Sequence, residues 1–136
     1  MTGLSRNLAF HPALNLNELN AELPAGLKLG EQEIHAIEEK ISLYSMGVAR
    51  RNTDFKHLAG FVAWNLIELR WDFGAGPQRI SVRLLGAETD KTATVFLLWH
   101  VKDPLEELEV QRMKQNEACE KAIERMKSLD FSNQKR

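Results

Sequence analysis

The sequence predicts an α+β domain, with N-terminal helices packed on a small antiparallel sheet and a long C-terminal helix after it. Three observations carry this. Apolar residues recur at three- and four-residue steps over 31–51, they alternate strictly over 66–73, and a densely charged stretch with a narrow apolar stripe follows Asp103. Helices, then a strand meander, then a helix is the order of an α+β layer fold, with helices covering one sheet face. The other face is then the place to look for function. At 136 residues the chain is long enough for one domain with a real core.

Residues 1–30 are an N-terminal extension of uncertain structure. Within them Asn15 to Leu23 forms a short helix with Leu16, Leu19 and Leu23 on one face and Pro24 ending it, and 25–30 is a loop. Glu31 to Arg51 is a clearer helix. Ile34, Ile37, Ile41, Tyr44 and Val48 make its apolar face, Glu31 and Glu33 suit its first turn and Arg50 and Arg51 its last. Gly47 is a mild flaw near that end. Asn52 to Gly60 is an irregular connection.

Leu66 to Phe73 is a strand with Ile67, Leu69, Trp71 and Phe73 on one side and Glu68, Arg70 and Asp72 on the other. Gly74 to Gln78 supplies a tight turn, since glycine tolerates positive φ and proline fixes its own. Arg79 to Leu85 returns, with Ile80, Val82 and Leu84 apolar and Arg79, Ser81 and Arg83 polar. A turn at Gly86 to Lys91 leads to a third strand, Thr92 to Lys102. There Val95, Leu97, Trp99 and Val101 continue the apolar face, and Phe96, Leu98, His100 and Lys102 the other. Asp103 is a natural N-cap and Pro104 a natural first helical residue for a helix running to about Leu129, striped by Leu105, Leu108, Met113, Ala122, Ile123, Met126 and Leu129. Residues 130–136 form a frayed tail.

Composition excludes several classes. The chain is 43% hydrophobic and 27% charged, which fits a folded globular protein and not a disordered one. A formal net charge of −1 gives no global attraction to nucleic acid, so any such role needs a local cationic patch. The single cysteine, Cys119, rules out an intrachain disulfide and points to a reducing, cytoplasmic setting. Set in a helix among charged residues, it has the character of a passive packing group. No apolar run is long enough for a membrane span, and no signal-peptide core is present. His11, His35 and His57 have no metal-like spacing with one another or with Cys119. Gly74-Ala75-Gly76-Pro77 lacks the Gly-Lys-Ser/Thr ending of a phosphate loop and leads into a strand.

The stretch Glu68-Leu69-Arg70, Asp72-Phe73-Gly74-Ala75-Gly76-Pro77, Arg79-Ile80 resembles the HigB-like, phage-derived branch of the RelE/ParE toxin superfamily. In that branch a Glu-Leu-Arg strand passes through a glycine-rich turn to an Arg-Ile strand, then an apolar strand ending near lysine, then a helix. Val95 to Lys102 and the helix with Ala118, Ala122 and Arg125 are similar to those later elements. Asp54 to Gly60, with Lys56, Leu58 and Gly60, looks like the loop before the family's first motif strand. The resemblance covers roughly 54–129. It implies a RelE-like fold and a toxin paired with a cognate antitoxin protein. Many members cleave mRNA on the ribosome without metal or cofactor, while related ParE proteins poison gyrase. The chain departs from the family where consecutive lysines are usual, since here the pair is Lys102-Asp103. It also has no C-terminal tyrosine, Tyr44 being the sole tyrosine, and it is not basic.

Metal-free RNA cleavage needs a base for the 2′-hydroxyl proton, cations for the phosphate and an acid for the leaving 5′-oxygen. Arg79 matches the family arginine, and a guanidinium makes bidentate contacts with phosphate. Arg70 is a second cation. His100, beside Lys102 on one strand face, is the candidate acid or base, and Lys102 and Arg83 are candidate phosphate contacts. The competing role for the arginines is structural. With the turn centred near Gly76, Asp72 lies opposite Arg79, Glu68 opposite Arg83 and Arg70 opposite Ser81. Cross-strand ion pairs of that kind contribute about 0.2–1 kcal/mol each. Trp71 and Trp99 belong to the core face, and Trp64 is free to be either core or a stacking surface for bases.

Two functions are therefore expected from different classes. One is a ribosome-dependent mRNA endoribonuclease acting as the toxin of a type II toxin–antitoxin pair. The other is a non-catalytic protein of the same fold, either a target poison or a degenerate toxin that only binds an antitoxin.

Overall fold

The computed structural model describes residues 5–24, 27–74 and 79–134, and at 61–63 and 130–134 the backbone alone. The described residues open on a strand: β1 (Asn7–Phe10), α1 (Leu16–Glu22), α2 (Glu31–Ser45), β2 (Phe55–His57), a 3₁₀ turn (Ala59–Trp64), β3 (Leu66–Phe73), β4 (Ile80–Asp90), β5 (Ala93–Lys102) and α3 (Leu108–Gln134). The α+β class holds, but the order is strand-first and the sheet is mixed. Its five strands run β1-β5-β4-β3-β2, with β1 parallel to β5 and the other neighbours antiparallel. Four residues, Asn-Leu-Ala-Phe, are too short for an alternation signal to be read from the sequence alone.

Several boundaries move for identifiable reasons. α2 stops at Ser45, not Arg51, because Gly47 takes φ 78° and the Val48 N–H reaches back to the Leu43 carbonyl at 3.0 Å. That is a glycine stop of the Schellman type, so Gly47 ends the helix and does not merely weaken it. The expected turn at Gly86 to Lys91 is strand as far as Asp90, and the reversal falls at Lys91 and Thr92. A Cβ on Gly86 would sit 2.9 Å from Phe96 Cδ1 and 2.9 Å from the Val95 carbonyl oxygen, so glycine here admits a close cross-strand approach. Asp103 caps a turn and not the helix itself. Its carboxylate accepts from the Leu105 N–H at 2.9 Å, and α3 starts at Leu108.

The hairpin register also differs from the expected one. Asp72 pairs with Ser81, Arg70 with Arg83 and Glu68 with Leu85. The parity is unchanged, so every side chain keeps its face while each partner moves by two positions. Gly74 has φ 75°, and the glycine-proline turn at 75–78 lies outside the described residues.

One irregularity organises the whole sheet. Between β4 and β5 the pairing slips by one residue around Leu97, from Leu85↔Leu98 to Gly86↔Phe96. Such a bulge reverses the facing of everything beyond it. Trp99 and Val101 therefore share a face with Phe96, while Val95 and Leu97 fall on the opposite face, not together with Trp99 as the alternation predicts. The first face packs Leu69, Trp71, Val82, Leu84, Phe96 and Trp99 against Leu19 of α1 and Ile37 and Tyr44 of α2. The second packs Leu66, Leu85, Ala87, Leu97 and Leu98 against Cys119, Ala122 and Met126 of α3. Helices thus cover both faces, the second only in part. Of the expected α3 stripe, Leu105, Leu108 and Met113 are exposed, because the helix begins to touch the sheet only near Ala118.

Arg125 joins the two layers around the sheet edge. Its guanidinium bonds the Glu18 carboxylate at 2.9 and 2.6 Å and the Leu97 carbonyl at 2.8 Å, satisfying the oxygen at the bulge. No described helix is long and apolar enough to cross a membrane.

Candidate functional site

The second sheet face has two halves. One is apolar and lies under α3. The other carries Glu68, Arg70 and Asp72 from β3, Ser81 and Arg83 from β4, and His100 and Lys102 from β5, with Lys56 of β2 beside Glu68. Strict alternation puts them there, since each is two residues from the next on its own strand.

Glu68 is the anchor. It is 0% exposed, and neither carboxylate oxygen has a hydrogen-bond partner among the described residues. Two cations offset its charge, Arg83 Nε at 3.7 Å and Lys56 Nζ at 3.9 Å. Arg83 is itself only 5% exposed in its side chain. Its Nη1 donates to the Val82 carbonyl at 2.9 Å, the Trp71 carbonyl at 3.1 Å and the Asp72 carboxylate at 3.4 Å. A guanidinium with that many internal acceptors, enclosed on both strands, is a structural brace.

Asp72 gathers three groups. It accepts from the Ser81 hydroxyl at 2.7 Å, meets Arg83, and lies 3.6 Å from Arg79 Nη2. Burial pushes its carboxyl up, but the Ser81 hydroxyl and the two guanidinium groups outweigh this and hold it below the usual carboxylate range. Arg79, just before β4, remains 47% exposed in its side chain and keeps donors free beyond that one long contact. Arg70 is half-buried, next to Arg83 across the hairpin, and also borders a cleft with Lys40 of α2 along the outer edge of β3.

His100 lies opposite Arg83 and is 9% exposed. Burial first, then Lys102, Arg83 and Lys114, pull its pKa down to about 4. At neutral pH the ring is uncharged, so it can take up a proton and has none of the extra proton an acid would need to give. Its Nε2 is buried without a partner among the described residues. Lys102 is half-buried, and its pKa is lowered by burial, opposed by Glu68 and reinforced by Arg83, Lys56 and Arg70. Lys114 of α3 leans over this end of the site while bonded to Glu106 at 2.8 Å.

The structure therefore brings Arg70, Arg83, His100 and Lys102 onto one surface, with Arg79 at its hairpin end. Lys56 and Lys114 join them and were not expected. Lys56 lies between Phe55 and His57 in β2, a three-residue strand inside the expected irregular connection and too short for the sequence to mark. Trp71 and Trp99 are buried core with ring centroids 6.3 Å apart. Trp64 packs against the second core with Lys127 over its ring at 5.7 Å. Cys119 is fully buried, and burial followed by Glu68 lifts its thiol to about 11, far from a reactive thiolate. Among the described residues, no group of three or more His, Cys, Asp or Glu side chains is placed to hold a metal ion.

No family model matches the chain, and no curated protein and no solved structure matches it either.

Proposed function

We propose that the chain is a HigB/RelE-like toxin whose cationic sheet face binds RNA and cleaves it without metal on the ribosome, neutralised by an antitoxin protein. The observation that carries this is the placing of Lys102 beside a neutral, buried His100 on a sheet face that also carries Arg70, has Arg79 at its hairpin end, and is left half open by α3. Arg79 meets the scissile phosphate, because it alone among the hairpin arginines is both exposed and held by a single long contact. Lys102 supplies a second positive charge. His100 accepts the 2′-hydroxyl proton. A phosphate bound beside it offsets the neighbouring cations and raises its affinity for that proton.

A specific observation favours the second reading, a non-catalytic protein of the same fold. Arg83 is enclosed by Glu68 and backbone carbonyls, and Asp72 holds part of Arg79, so the face has fewer free cations than its sequence shows. Among the described residues, the proton-transfer group beside His100 is Lys102, whose own lowered pKa leaves it the one candidate acid. Expression in bacteria with growth and mRNA integrity followed together decides between them. Growth arrest with mRNA cleavage, lost in Arg79→Ala and His100→Ala, is the outcome expected of the ribonuclease. Arrest with intact mRNA points to a binding poison, and unchanged growth with intact mRNA sinks the ribonuclease reading.

A further inference from the structure

β1 covers the outer edge of β5 only as far as Phe96, and among the described residues no strand lies beside the rest of that edge. The outward groups there can be identified. The Leu97 carbonyl reaches out to Arg125, and the Trp99 N–H faces the Glu18 carboxylate and helps to lower its pKa. Residues two apart on a strand point the same way, so the N–H and C=O of Val101 also point outward. Neither has a hydrogen-bond partner among the described residues. This open edge forms the floor of a groove of about 570 Å³ between the end of α1, at Glu22 and Pro24, and α3, at Lys114, Glu117 and Lys121.

Two residues that line the groove also carry buried ring nitrogens without partners among the described residues. Trp99 Nε1 is a fixed N–H donor, buried and unbonded, and His100 Nε2 is equally buried and unbonded. A buried indole N–H left unpaired costs free energy that a ligand acceptor would recover. The charges are also mixed and partly unsatisfied. Lys114 is taken by Glu106, but neither Lys102 nor Lys121 has a carboxylate within 4 Å among the described residues, and Glu22 and Glu117 have no cation within that distance.

We propose that this groove binds a short extended peptide, which adds to the β5 edge in line with β1. Main-chain pairing with Val101 fixes its register, an acidic group meets Lys102 and Lys121, a basic group meets Glu22 and Glu117, and a peptide acceptor takes the Trp99 indole N–H. An unpaired strand edge bonds an extended backbone irrespective of sequence, while the side walls select the residues that flank it. A phosphate would use the lysines but leave the Val101 edge and the two acidic walls without partners, so the edge favours the peptide. The proposal does not rest on RNA cleavage, since peptide binding can be measured on protein that cleaves nothing.

The test selects a phage-displayed random hexapeptide library on the full-length chain and titrates the enriched peptides into ¹⁵N-labelled protein. The expected result is enrichment of peptides carrying both an acid and a base, movement of the Val101 amide and Trp99 indole resonances, at least fivefold weaker binding to Lys121→Ala and Trp99→Phe, and loss of binding to Val101→Pro. Val101→Pro removes the outward N–H, which the β4 ladder does not use, together with an isopropyl group that packs on the first core. Trp99→Phe removes the indole N–H with part of the core volume, and Lys121→Ala, a surface change, covers the case in which either core variant fails to fold. The proposal is overturned if no peptide is enriched, if enriched peptides bind Trp99→Phe and Lys121→Ala as well as the parent, or if inorganic phosphate alone reproduces both resonance shifts.

Discussion

Replacing Arg83 by methionine tests the central electrostatic claim. The substitution keeps the aliphatic stem and removes the guanidinium. Three Nη1 contacts of 2.9, 3.1 and 3.4 Å disappear, and the fully buried Glu68 loses the nearer of its two cations, at 3.7 Å. Breaking a buried pair from one side costs about 3–5 kcal/mol, because a charge is left without compensation. For 136 residues the unfolding entropy near the midpoint is about 0.29 kcal/mol/K, so Tm falls by about 10–17 °C. Urea unfolding followed by circular dichroism measures the loss as a lower midpoint at unchanged slope. The double variant Glu68→Leu, Arg83→Met removes both charges and recovers most of the stability, since an apolar pair of similar volume is often neutral in such a place. The two single losses then exceed the double by more than about 2 kcal/mol, the signature of direct coupling. A cost below about 1 kcal/mol for Arg83→Met, or strict additivity, refutes the brace and returns Arg83 to the pool of cations available for phosphate.

Three further outcomes follow from named contacts. Gly86→Ala drives a Cβ to 2.9 Å from a backbone oxygen and from the Phe96 ring; it destabilises by about 1–3 kcal/mol, read by calorimetry, and a neutral result would mean the strands part without cost. The Glu18 carboxyl is lowered chiefly by its hydrogen bonds to Arg125, so its contribution is full above the ordinary carboxylate pKa and is lost as pH falls through its depressed folded value; Glu18→Gln is therefore less stable than the parent at pH 6, and the gap closes towards pH 3. His100, at about 4 against 6.5 when unfolded, binds fewer protons folded than unfolded between those values. Stability accordingly rises with pH across that window, His100→Gln flattens the rise, and the imidazole resonance titrates near 4.

The central strands and the polar set were legible because alternation is a local signal. Leu66 to Phe73 was read to the residue, and Arg70, Arg79, Arg83, His100 and Lys102 do lie on or at the end of one face. What could not be read depends on partners distant in the chain. β1 exists because β5 offers it an edge more than 80 positions later, and the Leu97 bulge arises from fitting β4 to β5, with no mark in Phe96-Leu97-Leu98 itself. The two-position register difference in the hairpin shows only in the pairing of β3 with β4, which alternation alone does not set because it keeps the same parity. Glu68 looked like a surface ion-pair residue, and only the approach of α3 and β2 makes it a buried one. The same enclosure changes the meaning of Arg83, so the count of cations in the sequence overstates those the face can offer.

The Glu18–Arg125 contact has a consequence for how the domain is completed. It ties residues 107 positions apart, and β1 likewise waits for Asn7 to find Ala93. Long closures of this kind are slow steps in folding, because their entropy is lost before their contacts reward it. The surfaces on which the first two helices pack come from strands later in the chain, and the Leu97 carbonyl gains its partner from α3. A chain stopped between Lys102 and Arg125 therefore carries the cationic face without its clasp.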